Sequence, residues 1–324
     1  MSLGKKKIQM QGAAGFTGND HFTPKLYTGN SSTNAITGVG FQPDFVWIKN
    51  RDNANDHFLT DSVRGAGKYL ISNTTGVEET TTRFNSFDSD GFTVSTDTTL
   101  LNNASYDYVA WCWRANGSAV SNTDGTITST VKANQDAGFS IVKWTGTSGE
   151  HSVGHGLGVK PSAVLIKPLG VNQWHWCTDI IDGSLDYLYL DSTTAKSDSG
   201  RTLFDSNKFY WAATGDNIAY CFADIAGYQK IGSYVGTGGS ISAIDVGFQP
   251  RFVMVKKSSV AGGNWAMFDN LRSGTSLHQL DANDTHAEYA NQGLTFTSTG
   301  FQPRQSVGSD QNVSGETFLY WAIA

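Results

Sequence analysis

An all-β architecture is what the 324-residue sequence predicts: three tandem β-sandwich domains, jelly-roll or lectin-like, behind a short N-terminal arm. Three observations predict it. A ten-residue motif recurs three times without a gap. Short segments rich in Val, Ile, Thr, Phe, Tyr and Trp are broken by Gly, Asn, Asp and Ser clusters. No window carries a sustained helical stripe of apolar residues.

The motif reads Gly40-Phe41-Gln42-Pro43-Asp44-Phe45-Val46-Trp47-Ile48-Lys49. It returns as Gly158-Val159-Lys160-Pro161-Ser162-Ala163-Val164-Leu165-Ile166-Lys167, and again as Gly247-Phe248-Gln249-Pro250-Arg251-Phe252-Val253-Met254-Val255-Lys256. Pro fixes φ and removes a donor, so it suits a strand entrance. Phe45 to Lys49 is apolar on both faces, which fits a strand covered on both sides or one packed at an interface. Upstream of each motif lies an aromatic-x-Gly turn, at Tyr27-Thr28-Gly29, Trp144-Thr145-Gly146 and Tyr234-Val235-Gly236. Downstream comes an apolar segment ending in Asp, read as His57–Asp61, His175–Asp179 and Trp265–Asp269. A Phe-bearing strand follows (Phe92, Phe209, Phe301), and each copy closes on an aromatic strand, Tyr108–Trp113, Ile218–Phe222 and Phe318–Ala322. Cys112 and Cys221 fall on equivalent positions. The best short helix candidate is Ser62 to Lys68, weakened by Gly65 and Gly67.

These boundaries divide the chain into an arm (1–22), copy 1 (23–117), a Ser/Thr/Asn/Gly-rich linker (118–137), copy 2 (138–228) and copy 3 (230–324). Copies 2 and 3 have almost no spacer between them, so that junction is expected to be the stiffer one.

Charged residues make up 16% of the chain, against about 25% in an average soluble protein. Uncharged hydrogen-bonding side chains replace them, as short strands and tight turns require. The net charge of −6 leaves no basic nucleic-acid footprint over the chain. The dense basic run Lys5-Lys6-Lys7 is either a docking element for an acidic surface or a solvated tail. Cys112, Cys177 and Cys221 lack metal or redox spacing and read as reduced core thiols, made in a reducing cytosol. No apolar run reaches the length of a membrane span, and no signal-peptide pattern follows the Lys cluster.

Candidate chemistry is sparse. His57/Asp61 and His175/Asp179 invite a catalytic or metal reading, but four residues on a strand span about 13 Å, too far for one metal. His151 and His155 form a loop pair. Asp88-Ser89-Asp90-Gly91 resembles the start of a calcium loop without its later Glu, and reads better as a turn. No nucleophile elbow, phosphate loop or zinc-protease signature is present. No catalytic residue, metal or cofactor is therefore expected. Trp174, Trp211 and Trp265 are candidates for stacking on glycans, against the alternative that they are core or interface residues.

At the Gly-Phe-Gln-Pro motif, at Asp61–Gly67, at Ser86–Phe92 and at the closing Tyr108–Trp113, the chain resembles a repeat domain of virion proteins of tailed bacteriophages, marine ones especially. The likeness covers copy 1 best; copies 2 and 3 keep the Pro motif and then depart. The start, Lys5 to Gly15, is similar too. The resemblance implies a tail-fibre, capsid-decoration or other particle-surface component and carries no catalytic residues. It implies a virion location after synthesis in the host cytoplasm, other virion proteins as partners, and a homo-oligomer, a trimer first. Contact with host surface glycans is an alternative or additional role. Nucleic-acid binding and membrane insertion are not expected. The copies share framework residues and differ in loops, so any binding role is expected in one copy rather than all three.

Overall fold

The structure is a computed structural model and describes residues 20–272, 278–290, 293–304 and 311–324. Among these the chain is all-β, built of short antiparallel strands. The segment Ser62 to Lys68 forms turns rather than a helix, with Gly65 at φ 96° donating its N–H to the Asp61 carbonyl at 2.9 Å.

One four-strand arrangement recurs three times. In copy 1 the order across the sheet is Phe22–Thr28, Asp107–Trp113, Phe45–Asn50, Phe58–Asp61. Copy 2 repeats it with Phe139–Gly146, Gly215–Phe222, Ala163–Pro168 and His175–Thr178. Copy 3 repeats it with Gln229–Val235, Thr317–Ile323, Phe252–Lys257 and Ala266–Asp269. The aromatic closing strand thus always lies between the copy's first strand and its Pro-motif strand. Cys112 and Cys221 take the same place on it, opposite Val46 and Val164.

The framework residues have local causes. The motif glycines Gly40, Gly158 and Gly247 all have positive φ (91°, 71° and 84°), which an L side chain adopts only with strain. After each Pro, the N–H of Asp44, Ser162 or Arg251 donates to the carbonyl of Trp113, Phe222 or Ile323 at 2.7 Å, starting the central pairing. The glycines of the upstream turns serve a different need. A Cβ on Gly29, Gly146 or Gly236 would lie 2.1, 1.9 or 2.2 Å from a backbone carbonyl oxygen.

The stretch 118–137, expected to be a linker, instead contains strands Val120–Asn122 and Ser129–Asn134. They extend the copy 2 sheet by pairing outward from Phe139–Gly146. Its alternating Val131, Lys132 and Ala133 had strand periodicity that its Ser/Thr/Asn content masked. The arm is also shorter than expected: Phe22 is fully buried and pairs with Trp113.

Alternation on the Pro-motif strand separates two cores. Val46 and Ile48 face a small outer sheet (Asn34–Thr37, Gly91–Val94, Phe84–Asp88) and join a cluster private to copy 1. Copies 2 and 3 have the same kind of private cluster. Phe45 and Trp47 point the other way, into a cluster drawn from all three copies: Trp111 and Trp113, Trp176 and Phe222, Phe252 and Trp321. Rings meet there across copies, Phe45 against Tyr220 at 4.2 Å, Phe222 against Trp321 at 4.3 Å and Trp113 against Trp321 at 5.6 Å. Aromatic contacts of this kind add about 0.5–1.5 kcal/mol each beyond their area burial. The copies are therefore not separate sandwiches on a string. Their main sheets face one common core.

The seams close in a ring. The Glu78 N–H of copy 1 donates to the Leu169 carbonyl of copy 2, Lys196 of copy 2 to Ser258 of copy 3, and Glu288 of copy 3 to Arg51 of copy 1, at 2.8, 2.8 and 2.6 Å. A second ring uses side chains. Trp174 Nε1 donates to the Ile71 carbonyl at 2.8 Å and Trp265 Nε1 to the Tyr189 carbonyl at 2.9 Å. The third member is His57, whose Nε2 lies 3.0 Å from the Asp281 carbonyl. Its Nδ1 accepts the Trp47 indole N–H at 2.8 Å, so the proton sits on Nε2. Burial first, then the nearby Lys49 charge, holds this imidazole neutral, far below its ordinary range.

Candidate functional site

The ring of seam contacts decides the fate of two stacking candidates. Trp174 and Trp265 are 0% and 1% exposed and donate their indole N–H groups to neighbouring copies. They offer no face to a glycan and are interface residues. Lys5, Lys6 and Lys7 lie outside the described residues.

The recurring His–Asp pair also dissolves once the strands are in register. Leu59 opposes Trp47, Trp176 opposes Leu165 and Met267 opposes Met254. By that register His57 matches Trp174 and Trp265, whereas His175 matches Phe58 and Ala266. Asp61 and Asp269 match each other and Thr178, not Asp179, which instead pairs with Lys160. His155 is buried, with Nε2 3.2 Å from the Asp205 carbonyl and Nδ1 accepting the Leu157 N–H. His151 faces the Thr147 hydroxyl at 2.8 Å. Asp90 accepts the N–H groups of Gly38 and Gly40 at 2.9 and 2.7 Å, a turn role at the motif entrance. Among the described residues, no group of three or more His, Cys, Asp or Glu side chains is placed to hold a metal. The three thiols are free and buried, and burial pushes Cys177 and Cys221 up to about 12.

Trp211 stands apart. It ends the strand Lys208–Trp211, which pairs with His151–Gly154 as the outer layer of copy 2. There it closes one wall of a groove of about 310 Å³. The opposite wall is the outward face of the main sheet, where cross-strand pairing puts His175 opposite Tyr189 and Cys177 opposite Tyr187. Residues two apart share a face, so Tyr187 and Tyr189 both line the groove, each half-buried. The His175 ring lies 4.7 Å from Trp211, 5.0 Å from Tyr189 and 5.8 Å from Tyr187. Arg201 lies over the Trp211 ring at 5.1 Å and is anchored by Glu150 at 3.1 Å. Asn172 and Asp198 stand at the rim.

Trp211 Nε1 and His175 Nδ1 lie behind the groove wall, shut off from solvent. Burial, opposed by a hydrogen bond to the Gln173 backbone and aided by the Arg201 and Lys167 charges, lowers His175 to about 4, so its ring is neutral at pH 7. The groove is polar and aromatic, and it presents the half-exposed rings of Tyr187 and Tyr189. In the equivalent place copy 1 has Phe58, stacked on Tyr69 at 4.8 Å and on Phe84 at 6.2 Å. Copy 3 has Ala266, Gln279 and Asp281 there.

Of the groove residues, sequence reasoning singled out Trp211, and His175 only as half of a pair that the register removes. The alternation Tyr187-Leu188-Tyr189 was the available signal for the rest, since it puts two rings on one strand face. Arg201 and Asn172 come from loops and left no such pattern.

A single family pattern, described as a domain of unknown function (DUF7483), matches residues 17–324. The chain belongs to this family. The match spans all three copies. No curated protein matches the chain, and no solved structure does.

Proposed function

We propose that this DUF7483 chain is a structural component of a tailed-bacteriophage particle, a tail-fibre or other surface protein, and not an enzyme. The observation that carries the reading is the closed triple. Three copies of one framework build a single body around a shared aromatic core, while the loops differ from copy to copy. Such a body suits a durable exposed part that presents variable loops on a fixed scaffold. The likeness of copy 1 and of the N-terminal segment to virion repeat domains supports the same reading. In it, the segment before Asp20 docks on the particle, and synthesis in the cytoplasm agrees with three free, buried thiols.

Particles purified from a lysate test this directly. Peptide mass spectrometry should find the chain in stoichiometric amounts, and antibody labelling should place it on the particle surface. A chain found only in the soluble fraction would overturn the proposal. Deleting residues 1–19, which spares Phe22 and its strand, should abolish incorporation and leave folding intact.

A further inference from the structure

We infer that the seam between copies 1 and 3 is a clasp that acid releases while the other two seams stay shut. The inference rests on the closed triple and holds whether or not the chain is part of a particle.

The three seams are not built alike. The chain itself joins copies 1 and 2 through 118–137, and copies 2 and 3 through the short run 226–229. Copies 1 and 3 come first and last along the chain, so noncovalent contacts alone shut their seam. It also carries ionisable groups at two places where the others do not. Where the other seams place the Trp174 and Trp265 indoles, this one places the His57 imidazole. Where the ring of backbone contacts joins Glu78 to Leu169 and Lys196 to Ser258, here it joins Glu288 to Arg51. Leu169 and Ser258 bear no charge, so of the three ring contacts only this one carries an ion pair across the seam. Arg51 grips the Glu288 carboxylate as a fork, at 2.8 and 2.9 Å. Glu78 instead pairs with Lys68, and Lys196 with Asp186, each within its own copy.

Protonation acts against both devices. The neutral His57 ring accepts from Trp47 on Nδ1 and donates to the Asp281 carbonyl from Nε2. A second proton turns Nδ1 into a donor facing the indole N–H. The resulting cation would lie near Lys49 and Arg272, with the backbone carbonyls of Asp281 and Asp284 to offset them. Burial is the first cause that keeps this ring neutral, so its contribution is whole above pH 6.5 and is lost as the pH falls below that value. Glu288 follows lower down. Against the cost of its burial, Arg51, Arg272 and His278 hold it to about 2, so its contribution fades as the pH falls below 4.5. The Asp281 carboxyl works the other way, since burial raises it despite donors from Gln279, Tyr289 and Asn264. At the other seams the indole N–H is a donor that does not titrate. Leu165 and Met254 stand there in the place of Trp47, so neither indole has to serve a second partner. His21 meets Asn134 at the 1–2 seam, but it is half-exposed and lies where the chain joins the two copies.

Amide hydrogen exchange on the full chain tests this, because the three seams supply equivalent reporters. The Glu288 N–H reads the 1–3 seam, the Glu78 N–H the 1–2 seam and the Lys196 N–H the 2–3 seam. From about pH 7 to about pH 5, with rates corrected for the intrinsic pH dependence of exchange, Glu288 should lose protection by up to roughly tenfold per unit, the slope of one linked proton. Glu78 and Lys196 should keep theirs. The double replacement Trp47→Leu with His57→Trp imports the copy 2 pairing and should remove the Glu288 slope over this range. Equal loss at all three amides would mean general acid unfolding and overturns the inference. So does a flat Glu288 profile in the unaltered chain, or a slope that the folded double variant retains. Should the double variant not fold, the three amides of the unaltered chain decide by themselves.

Discussion

Three lysines end the three motifs, and burial makes them unusual. Lys49, Lys167 and Lys256 are at most 1% exposed and continue the inward face of Phe45 and Trp47 and their counterparts. Each ammonium is held by carbonyl oxygens. Lys49 donates to Asn50 at 2.8 Å and to Thr285 of copy 3 at 3.1 Å. Lys167 donates to Pro168 and Gly170 at 2.8 and 3.0 Å, and Lys256 to Lys257 at 2.8 Å. Burial lowers Lys49 and Lys167 to about 8 from an ordinary 10.5. The sign of the pH effect follows. Between about pH 8 and 10 the unfolded chain keeps protons that the folded chain has released, so stability rises with pH, by up to about 1.4 kcal/mol per unit for each lysine. The buried thiols oppose this from about pH 8.5, since burial raises Cys177 and Cys221 to about 12, and above pH 10 the buried tyrosines do so too, with Tyr108 and Tyr320 raised to about 12. From pH 8 to 9.5 the urea midpoint of the wild-type chain should therefore gain on that of Lys167→Met, a comparison in which the thiol contributions cancel. A wild-type midpoint that gains nothing on the variant's over this window would show that the Lys167 ammonium is better solvated than its carbonyl cage suggests.

At the scale of one element, the turn after the Asp-ended strand shows what the repeat conserves and what it exchanges. Asp269 accepts the N–H groups of Leu271 and Arg272 at 3.1 Å, pairs with the Arg272 guanidinium at 2.6 Å, and accepts the Trp111 indole N–H of copy 1 at 2.9 Å. Asp61 does the same with Val63, Arg64 and the Tyr220 hydroxyl of copy 2. Both ion pairs are fully buried. Copy 2 has Thr178 and Ile181 in these places and no charge. Without Asp269 the buried Arg272 keeps only the Glu288 carboxylate, at 3.3 Å, and the Trp111 indole loses its acceptor, so Asp269→Thr should cost about 3 kcal/mol, the lower end for breaking a buried pair. The double replacement Asp269→Thr with Arg272→Ile, which imports the copy 2 solution, should cost less than that single change. Denaturant melts of the two singles and the double give the coupling directly. The same turn marks how far the sequence could be read. Gly40, Pro43, the alternating motif strand and the aromatic closing strand were legible because each answers a backbone or burial requirement within one copy. The register of His175 was not, because an Asp one place further, at position 179, imitates the framework Asp. Nor was the pairing of Ser129–Asn134, whose polar composition reads as a loop until a neighbouring strand edge is supplied. The groove was legible only in part, since Trp211, Tyr187 and Arg201 converge from three separate segments.

At the scale of the whole molecule, closure is the property that no single copy encodes. The aromatic excess that pointed to interfaces is consumed inside the chain, where Trp47, Trp111, Trp176, Trp265 and Trp321 meet in one cluster. Head-to-tail contacts between like units make either open arrays or closed rings. Here three copies complete the ring, as the Glu78, Lys196 and Glu288 backbone contacts show. A linear array of repeats unfolds piecemeal because each unit touches only its neighbours. In a closed triple every copy touches both others, and loss of one exposes the inward faces of two. The calorimetric enthalpy of unfolding should then equal the van't Hoff enthalpy, marking one cooperative transition, whereas three independent sandwiches would give a ratio near three. Truncation after Tyr228 should abolish near-ultraviolet dichroism across the remaining chain and not only in proportion to the residues removed. It strips the copy 1 and copy 2 faces of Phe252, Trp265 and Trp321, and it takes away the Asp281 carbonyl from His57 and the Asp269 carboxylate from Trp111. A truncated chain that melts cooperatively with two thirds of the enthalpy would mean that the private clusters, and not the shared core, hold the copies together.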